Sequence, residues 1–219
     1  MTTSGGANGA GTIFKLTPGG TLTTLYSFCS QAGCPDGESP YNEAGLVQAT
    51  NGDFYGTTGS GGANGNGTIF KITPSGTLTT LYSFCSQAGC TDGSYPGAPV
   101  IQATDGDFYG TTSSDGANHG GTVFKITPSG TLTTLYSFCS QAGCTDGNAP
   151  QGALVQATNG DFCSHCRCRE CRGCRTRSSV SPLCARSPDA APKTCAARMG
   201  LRTRGSNQPQ RGCNPRSRW

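Results

Sequence analysis

The sequence predicts an all-β protein built from tandem four-stranded repeats. Thirty-four of the 219 residues are glycine, and threonine is abundant, which favours short strands and tight turns. One segment occurs three times, from Gly11, Gly67 and Gly121, in steps of 56 and 54 residues. That period is close to the roughly 40–50 residues of a propeller blade, so we expect an incomplete β-propeller-like array.

Each repeat contains four predicted strands. Asn51-Gly52 and Pro74-Ser75-Gly76 are turn sequences, because glycine accepts a positive φ and proline fixes its own. These turns join two hairpins, so the predicted strands are residues 45–50, 53–58, 67–73 and 77–84.

The last strand of the repeat alternates between two faces. Leu78, Thr80, Tyr82 and Phe84 fall on one face, which is strand periodicity rather than helical periodicity. We expect these aromatic side chains to form the core between sheets; stacking on a ligand is the alternative.

The repeat is interrupted at both ends of the sequence. The segment from Thr2 aligns with the segment from Thr57, inside a unit, and the third copy of the "NGDFYGTT" landmark stops at Phe162. Fewer than three blades of strands cannot close a ring, so the outer strands should remain open and self-associate. We therefore expect residues 1–162 to form a repeat region truncated at both ends.

The segments "GGANGNGTIFKITPSGTLTTLYSF" and "DGDFYGTT" carry a family resemblance. Together they resemble the Gloeo_Verruco (GloVer) tandem repeat of bacterial extracellular and surface proteins, over about residues 2–162. The resemblance implies a propeller-like protein exported from the cell, and it implies no catalytic residue and no cofactor. The start "MTTSGGANGAGTIFK" shows no basic region followed by an apolar one, so no export signal is visible.

Each repeat carries a C-x4-C pair after its last strand, and a curled "CSQAGC" loop can bring the two ends together. The disulfide candidates are Cys29 with Cys34, Cys85 with Cys90, and Cys139 with Cys144. Disulfides persist outside the cytosol, in agreement with an exported protein; free thiols in a reducing compartment are the alternative. A zinc site would need four converging ligands, and each loop offers two thiols without histidine, so we predict no metal here.

The charge divides sharply at residue 162. Residues 1–162 hold three lysines, no arginine and ten acidic residues, a net charge of −7. Residues 163–219 hold twelve arginines, one lysine and two acidic residues, a net charge of +11. Such a basic segment can bind nucleic acid, or it can be of unrelated origin.

The segment "CSHCRCRECRGC" has C-x2-C spacing that resembles a zinc site. However, residues 163–219 contain no Ile, Phe or Tyr and lack the side chains for a core. Plausible codons for residues 166–175, read one base later, give a Gly- and Ala-rich peptide like the continuation of the repeat. We therefore interpret residues 163–219 as a disordered frameshift product without a functional metal site.

No catalytic constellation stands out. His119 lies in a Gly-rich turn and His165 in the tail, and we find no polar residues that break the repeat near a ring centre. The "TDGD" segment at 104–107 lacks the further ligands of a calcium loop and is typical of a hairpin turn.

These observations favour a non-enzymatic extracellular repeat fragment that acts as a surface scaffold or binds a surface glycan or protein. A fragment of a propeller-borne enzyme acting on polysaccharide is the alternative, as is zinc or nucleic-acid binding through the tail. We expect no nucleic-acid binding. We also expect no membrane span, because the sequence contains no apolar window long enough to cross a bilayer.

Overall fold

The computed structural model describes residues 1–40 and 45–164, together with the backbone of 184–185. Thirteen strands account for its regular structure, with only short 3-10 turns at Ala88–Cys90 and Ala142–Cys144. None of these described residues forms a helix long and apolar enough to cross a membrane. The all-β prediction is confirmed.

The strands form four antiparallel sheets in chain order. The bounds are β1 Thr12–Leu16, β2 Leu22–Ser27, β3 Val47–Gln48, β4 Phe54–Thr58, β5 Thr68–Ile72, β6 Leu78–Ser83, β7 Ile101–Gln102, β8 Phe108–Thr112, β9 Thr122–Ile126, β10 Leu132–Ser137, β11 Leu154–Gln156, β12 Phe162–Ser164 and β13 Cys184–Ala185. Strands β3–β6 and β7–β10 make two complete four-stranded sheets. Strands β1 and β2 make a two-stranded sheet, and β11–β13 a three-stranded one.

The order within each complete sheet follows the sequence, so each strand pairs with its neighbour through a hairpin. The predicted turns at 51–52 and 74–76 close these hairpins. The innermost strands, β3 and β7, are only two residues long, shorter than the sequence pattern predicted.

The third and fourth strands contain a bulge that the alternation did not predict. Ile69 pairs with Tyr82 and Phe70 with Thr80, so Leu81 has no partner residue of its own. Leu81 and Tyr82 consequently pack against the same hydrophobic cluster, although they are adjacent in sequence. A bulge adds one residue to one strand and shifts the faces beyond it.

The core lies between consecutive sheets and is largely aromatic, as expected. Tyr55 of one complete sheet stacks on Phe108 of the next, with ring centroids 3.9 Å apart. Near the outer strands of the same interface, Phe84 and Phe124 are 5.2 Å apart. Both rings of each pair are almost fully buried, so the sheets are held face to face as propeller blades are.

The predicted boundary at residue 162 falls inside β12, which ends at Ser164. Within the predicted tail, the short strand β13 pairs with the outer edge of β12. Such an edge presents unpaired backbone groups to any extended segment. The remaining tail, with the predicted disorder of 163–219 and its cysteine cluster, lies outside the described residues.

Candidate functional site

Two kinds of loop meet at one end of each sheet. The loop between the second and third strands lies beside the segment that enters the same sheet from the preceding one. Backbone bridges join Glu38 to Ser60, and Ser94 to Ser114. We call this end of the sheets the variable end; it comprises residues 38–40, 59–67, 94–97, 113–121 and 148–150.

The side chains at the variable end differ from one repeat to the next. Glu38 is replaced by Ser94 and then by Asn148 at equivalent positions. Gly61 and Gly65 correspond to Asp115 and His119. At the opposite end of the sheets, the turn at 74–76 recurs unchanged at 128–130, with the same threonine–serine hydrogen bond of 2.8 Å. The opposite end also varies, since Gly19 replaces this serine in the first repeat and Asn51 becomes Asp105, but the exchanges of glycine for Asp115 and His119 occur at the variable end.

A buried aspartate fixes the entry segment in each repeat. Asp92 is fully buried and accepts hydrogen bonds from the Tyr82 hydroxyl at 2.8 Å and the Ser86 amide at 2.9 Å. Burial raises the pKa of the Tyr82 hydroxyl, and the hydrogen bond to Asp92 acts in the same direction. The tyrosine therefore stays protonated and remains a donor to the carboxylate.

The same arrangement, which we call the aspartate latch, recurs in the other two repeats. Tyr26 donates to Asp36 at 2.8 Å, and Tyr136 donates to Asp146 at 2.7 Å. Burial acts to raise the pKa of Asp146, but hydrogen bonds from Tyr136 and Ser140 outweigh it and hold that pKa well below its usual range. The Asp146 carboxylate is therefore ionised at neutral pH.

The glycine after the latch aspartate seats the entry segment on the next sheet at Gly37 and at Gly93. Gly93 has φ +88°, and a Cβ atom there would lie within van der Waals overlap of the Thr112 and Thr122 hydroxyls. Those hydroxyls are hydrogen-bonded to each other at 2.8 Å across strands β8 and β9. Only glycine fits both the positive φ and the close approach.

The structure joins the three cysteine pairs singled out by their spacing, each with Cα atoms 4.1 Å apart. Two of the disulfide loops also reach the next sheet: the Cys34 carbonyl accepts a hydrogen bond from the Gly62 amide at 2.8 Å, and the Cys90 carbonyl accepts one from the Gly116 amide at 3.0 Å. Among the described residues, one group of potential metal ligands is close enough to share an ion. It consists of Cys29, Cys34 and Glu38. Since the two sulfurs are bonded to each other, this group does not supply thiolate ligands.

Three residues that differ from the other repeats come together at the variable end. The buried Ser94 hydroxyl donates a hydrogen bond to Asp115. His119 Nδ1 lies 3.9 Å from the other carboxylate oxygen of Asp115. We call Ser94, Asp115 and His119 the polar cluster.

The backbone of the polar cluster adopts a conformation that side chains rarely occupy. Asp115 and His119 both have φ +58°, and the equivalent Gly61 and Gly65 have φ +72° and +76°. Left-handed backbone at non-glycine residues is uncommon and costs on the order of 1 kcal/mol or more. The disulfide cysteines and Ser39, Tyr95 and Ala149 share this left-handed backbone, so what distinguishes Asp115 and His119 is that they replace glycine.

The polar cluster is arranged for binding rather than for nucleophilic catalysis. A catalytic serine needs its hydroxyl hydrogen-bonded to a base such as imidazole, with the carboxylate behind that base. Here Ser94 donates directly to the carboxylate, and the His119 side chain is 79% exposed. Tyr95, the residue that follows Ser94, is 39% exposed.

The sequence profile of the Gloeobacter/Verrucomicrobia repeat matches residues 1–174. The chain belongs to the Gloeobacter/Verrucomicrobia repeat family. The resemblance stated from the sequence is thereby confirmed. No curated protein matches the chain.

Among solved structures, this repeat chain is similar to a streptogramin B lyase, with 26% identity, 71% of this chain and 41% of that chain covered, and a TM-score of 0.45. The chain is also similar to an extracellular domain of a one-component system from B. thetaiotaomicron. The identity is 14%, the match covers 70% of this chain and 17% of that chain, and the TM-score is 0.45. A third similar structure is described as a gluconolactonase. The identity is 14%, the match covers 68% of this chain and 46% of that chain, and the TM-score is 0.42. The chain spans less than half the length of each.

The hairpin turn predicted at 104–107 is present in the repeat structure. Asp105 accepts a hydrogen bond from the Asp107 amide at 3.1 Å, and Asp107 forms an ion pair of 2.8 Å with Lys125. Asp105 and Asp107 are thus engaged within the hairpin.

Sequence reasoning missed the polar cluster. His119 was expected to be a solvated turn residue, and it is exposed, yet it lies beside Asp115. Ser94 and Asp115 are 21 residues apart, and neither matches a catalytic motif. The signal that could have found them is the comparison of repeats, because all three positions differ from the equivalent residues of the preceding unit.

Proposed function

We propose that the chain is part of a non-enzymatic extracellular scaffold that binds a surface glycan or a protein at its variable end. The observation that carries the proposal is the contrast between repeats. The aspartate latch, the disulfide loop and the interleaved aromatic rings recur almost unchanged, whereas the polar side chains at one end do not. A fixed framework that displays different side chains at equivalent positions is suited to recognition.

Exposure of the polar cluster supports binding over turnover. Catalytic sites exclude water in order to strengthen their electrostatic interactions. His119 lies mostly in solvent, and the Ser94 hydroxyl is held by a carboxylate rather than by a base. Tyrosine contributes an amphipathic ring to recognition surfaces, and Tyr95, which follows Ser94 in the sequence, is 39% exposed.

The three disulfides support an extracellular location. Disulfide bonds form and persist in oxidising compartments and are rare in the cytosol. The loops closed by Cys29–Cys34 and Cys85–Cys90 also contact the next sheet, through the amides of Gly62 and Gly116. An oxidising environment would therefore stabilise the seating of neighbouring sheets.

The proposal is tested by substituting the two ends of the sheets separately. The variable-end variant combines Tyr95→Ala, Asp115→Asn and His119→Gly; asparagine keeps an acceptor for Ser94, and glycine matches Gly65. The control combines Ser75→Gly and Ser129→Gly, which copy Gly19 of the first repeat. Both proteins and the parent are applied to arrays of bacterial surface polysaccharides and to intact bacterial cells.

We expect the variable-end variant to lose at least about tenfold in affinity, equivalent to about 1.4 kcal/mol, and the control to keep parent affinity. Equal loss in both variants would contradict a site at the variable end. Turnover of a polysaccharide by the parent protein, abolished by Asp115→Asn, would contradict the non-enzymatic assignment.

A further inference from the structure

The disulfide loop of the first repeat differs from the other two in one charged side chain. The segment "CSQAGC" is identical in all three repeats, so the cysteines alone do not distinguish the loops. Glu38 follows the first loop, whereas Ser94 and Asn148 occupy the equivalent position in the other repeats. The Glu38 Oε2 atom lies 3.6 Å from Cys34 Sγ. Within the described chain, the first loop is therefore the one that holds a carboxylate beside its sulfurs.

This separation matches that of two ligands bound to one zinc ion. Zinc lies about 2.3 Å from a thiolate sulfur and about 2.1 Å from a carboxylate oxygen, in tetrahedral geometry. A sulfur and an oxygen at those distances from the ion are about 3.6 Å apart. The ligand atoms of Cys29, Cys34 and Glu38 all lie within 4.8 Å of one another. Together with one water molecule, these three side chains complete a tetrahedral set for zinc once the two sulfurs are no longer bonded to each other.

The first loop keeps its two cysteines together through hydrogen bonds that do not involve the bridge. The Cys29 amide donates to the Gly37 carbonyl at 3.2 Å, and the Gly37 amide donates to the Cys34 carbonyl at 2.9 Å. The Ser30 amide donates to the latch carboxylate of Asp36 at 3.0 Å. Because Gly37 is bonded to both cysteines, we expect the loop to stay closed when the S–S bond is broken.

Glu38 is positioned by the following sheet as well as by its own loop. Its amide donates to the Ser60 carbonyl at 2.9 Å, and the Ser60 amide donates to the Glu38 carbonyl at 3.3 Å. The Glu38 side chain is half-buried. A metal ion bound through Glu38 would consequently tie the loop of one sheet to the next sheet, as the hydrogen bond from Gly62 to Cys34 already does at 2.8 Å.

The latch of the first repeat also holds an uncompensated carboxylate oxygen. Asp36 is 6% exposed, and its buried Oδ1 accepts no hydrogen bond from any described residue. In the other two latches this oxygen is bound by the amides of Gln87 and Gln141, at 3.3 and 3.4 Å. A buried carboxylate oxygen without a donor is unfavourable, and a cation in the same loop offsets that penalty. The loop that has the third ligand is thus also the loop with an unmatched negative charge.

We propose that the first loop binds a zinc-class divalent cation through Cys29, Cys34 and Glu38 when its bridge is reduced. A dithiol supplies the two electrons and two protons: the S–S bond breaks, both sulfurs become thiols, and the dithiol closes its own disulfide. The cation then replaces the two thiol protons, which pass to solvent. Thiolate ligands select zinc over the harder calcium and magnesium ions.

The bridge and the cation exclude each other, so the compartment decides which of them closes the first loop. Disulfides form and persist in oxidising surroundings, whereas thiols prevail in the cytosol. The second and third loops offer two thiolates without a third side chain, fewer than the three protein ligands of open zinc sites. We therefore expect zinc in the first loop of the reduced chain, and bridges in all three loops of the oxidised chain.

The test reads each loop separately in the full-length protein. The protein is reduced with a dithiol, freed of it under anaerobic conditions, and alkylated briefly with iodoacetamide in the presence or absence of zinc chloride. Peptide mass spectrometry distinguishes the loops, which continue as "PDGES", "TDGSY" and "TDGNA". Because a free thiolate is the reactive species, we expect zinc to slow alkylation of Cys29 and Cys34 at least about tenfold more than alkylation of the other two loops. Zinc bound elsewhere in the chain does not enter this comparison.

Two substitutions with the same change of charge test the carboxylate. Glu38→Gln keeps the size of the side chain and should remove the zinc protection of the first loop. Asp105→Asn, at the opposite end of the sheets, copies Asn51 of the preceding repeat and should leave that protection unchanged. Hydrogen exchange of residues 29–38 in the reduced, zinc-free protein measures whether the loop stays closed without its bridge.

Four results would each overturn the proposal. Equal protection of all three loops would show that two thiolates suffice, and protection that survives Glu38→Gln would exclude the carboxylate as a ligand. Loss of protection in Asp105→Asn would indicate an effect of overall charge. Absence of protection in the parent protein, whether the reduced loop stays closed or opens, would show that this loop does not hold the cation.

Discussion

The buried framework and the variable end differ in what the repeats share. In the framework the repeats share both backbone and side chains, whereas at the variable end they share the backbone only. In the framework, the distance from the tyrosine hydroxyl to the latch aspartate is 2.8, 2.8 and 2.7 Å in the three repeats. At the variable end, Ser39, Tyr95 and Ala149 share φ values of 50°, 54° and 50°, although their side chains have nothing in common.

This difference shows where the entry segment gets its conformation. Ser39, Tyr95 and Ala149 adopt one left-handed backbone because neighbouring loops bind their amides: the Tyr95 amide donates to Asn66, and the Ala149 amide to Gly120. The side chain at this position is therefore free to change without a change of fold. Sequence variation at such a position alters what the surface presents and leaves the framework in place.

The largest effect should come from the framework aromatic rings. Phe84 is fully buried and contacts both Phe124 of the next sheet and Tyr82 of its own. Phe84→Ala should lower the free energy of unfolding by about 3–5 kcal/mol, since it leaves a cavity between sheets. Urea denaturation followed by tyrosine fluorescence measures the change.

Phe138→Ala is the matched control for Phe84→Ala. Phe138 is the equivalent ring of the third repeat, and it contacts Tyr136 in the same edge-on manner. No ring pair from the next sheet involves Phe138 within the described residues, and it is 7% exposed. Phe138→Ala should therefore lower the free energy of unfolding by less than Phe84→Ala does. Equal costs would show that the rings between sheets contribute nothing beyond their own burial.

The aspartate latch should give a smaller effect that depends on pH. The folded state holds the pKa of Asp146 below its unfolded value, which is about 3.9. Its stabilising contribution is thus present above that unfolded pKa and is lost as the pH falls through the folded pKa. Asp146→Asn should lower the melting temperature at neutral pH, and the difference from the parent should shrink toward pH 2.

Tyr136→Phe provides a graded comparison for Asp146→Asn. It removes one of the hydrogen bonds that lower the pKa of Asp146 and keeps those from Ser140. Its destabilisation at neutral pH should be intermediate, with an onset of acid unfolding at higher pH than in the parent. A constant difference between parent and Asp146→Asn from pH 7 to pH 2 would show that ionisation of Asp146 does not contribute.

Much of this framework could be predicted from the sequence, because its determinants are local. The turns at 51–52 and 74–76 and the strand periods follow from neighbouring residues, and so does the C-x4-C spacing. The bulge at Leu81 could not be predicted, since it depends on how Phe70 and Thr80 come into register across two strands. The latch was missed for a similar reason: "DG" reads as a turn, and only the fold brings Asp92 to Tyr82, ten residues earlier.

The polar cluster was even harder to predict from the sequence than the latch. Asp115 and His119 could have been noted as departures from glycine, but their neighbour Ser94 arrives from another loop. In a catalytic triad the serine would be hydrogen-bonded to the imidazole, whereas here Ser94 is hydrogen-bonded to Asp115. Only the geometry distinguishes the two arrangements. No spacing in the sequence encodes it.

The smallest effect on stability should come from the variable end, where an exchange of residues between repeats separates a structural role from a recognition role. His119 and Gly65 occupy equivalent positions, both with positive φ, and a Cβ atom at Gly65 would meet nothing within 4 Å. His119→Gly relieves left-handed strain but frees the unfolded chain, so these effects nearly cancel and stability should stay within about 0.5 kcal/mol. Gly65→His introduces the strain without Asp115 beside it and should destabilise by about 1 kcal/mol. Urea denaturation of both variants measures this. If His119→Gly instead costs more than about 1.5 kcal/mol, the imidazole supports the fold through Asp115, and its exposure no longer favours a role in binding.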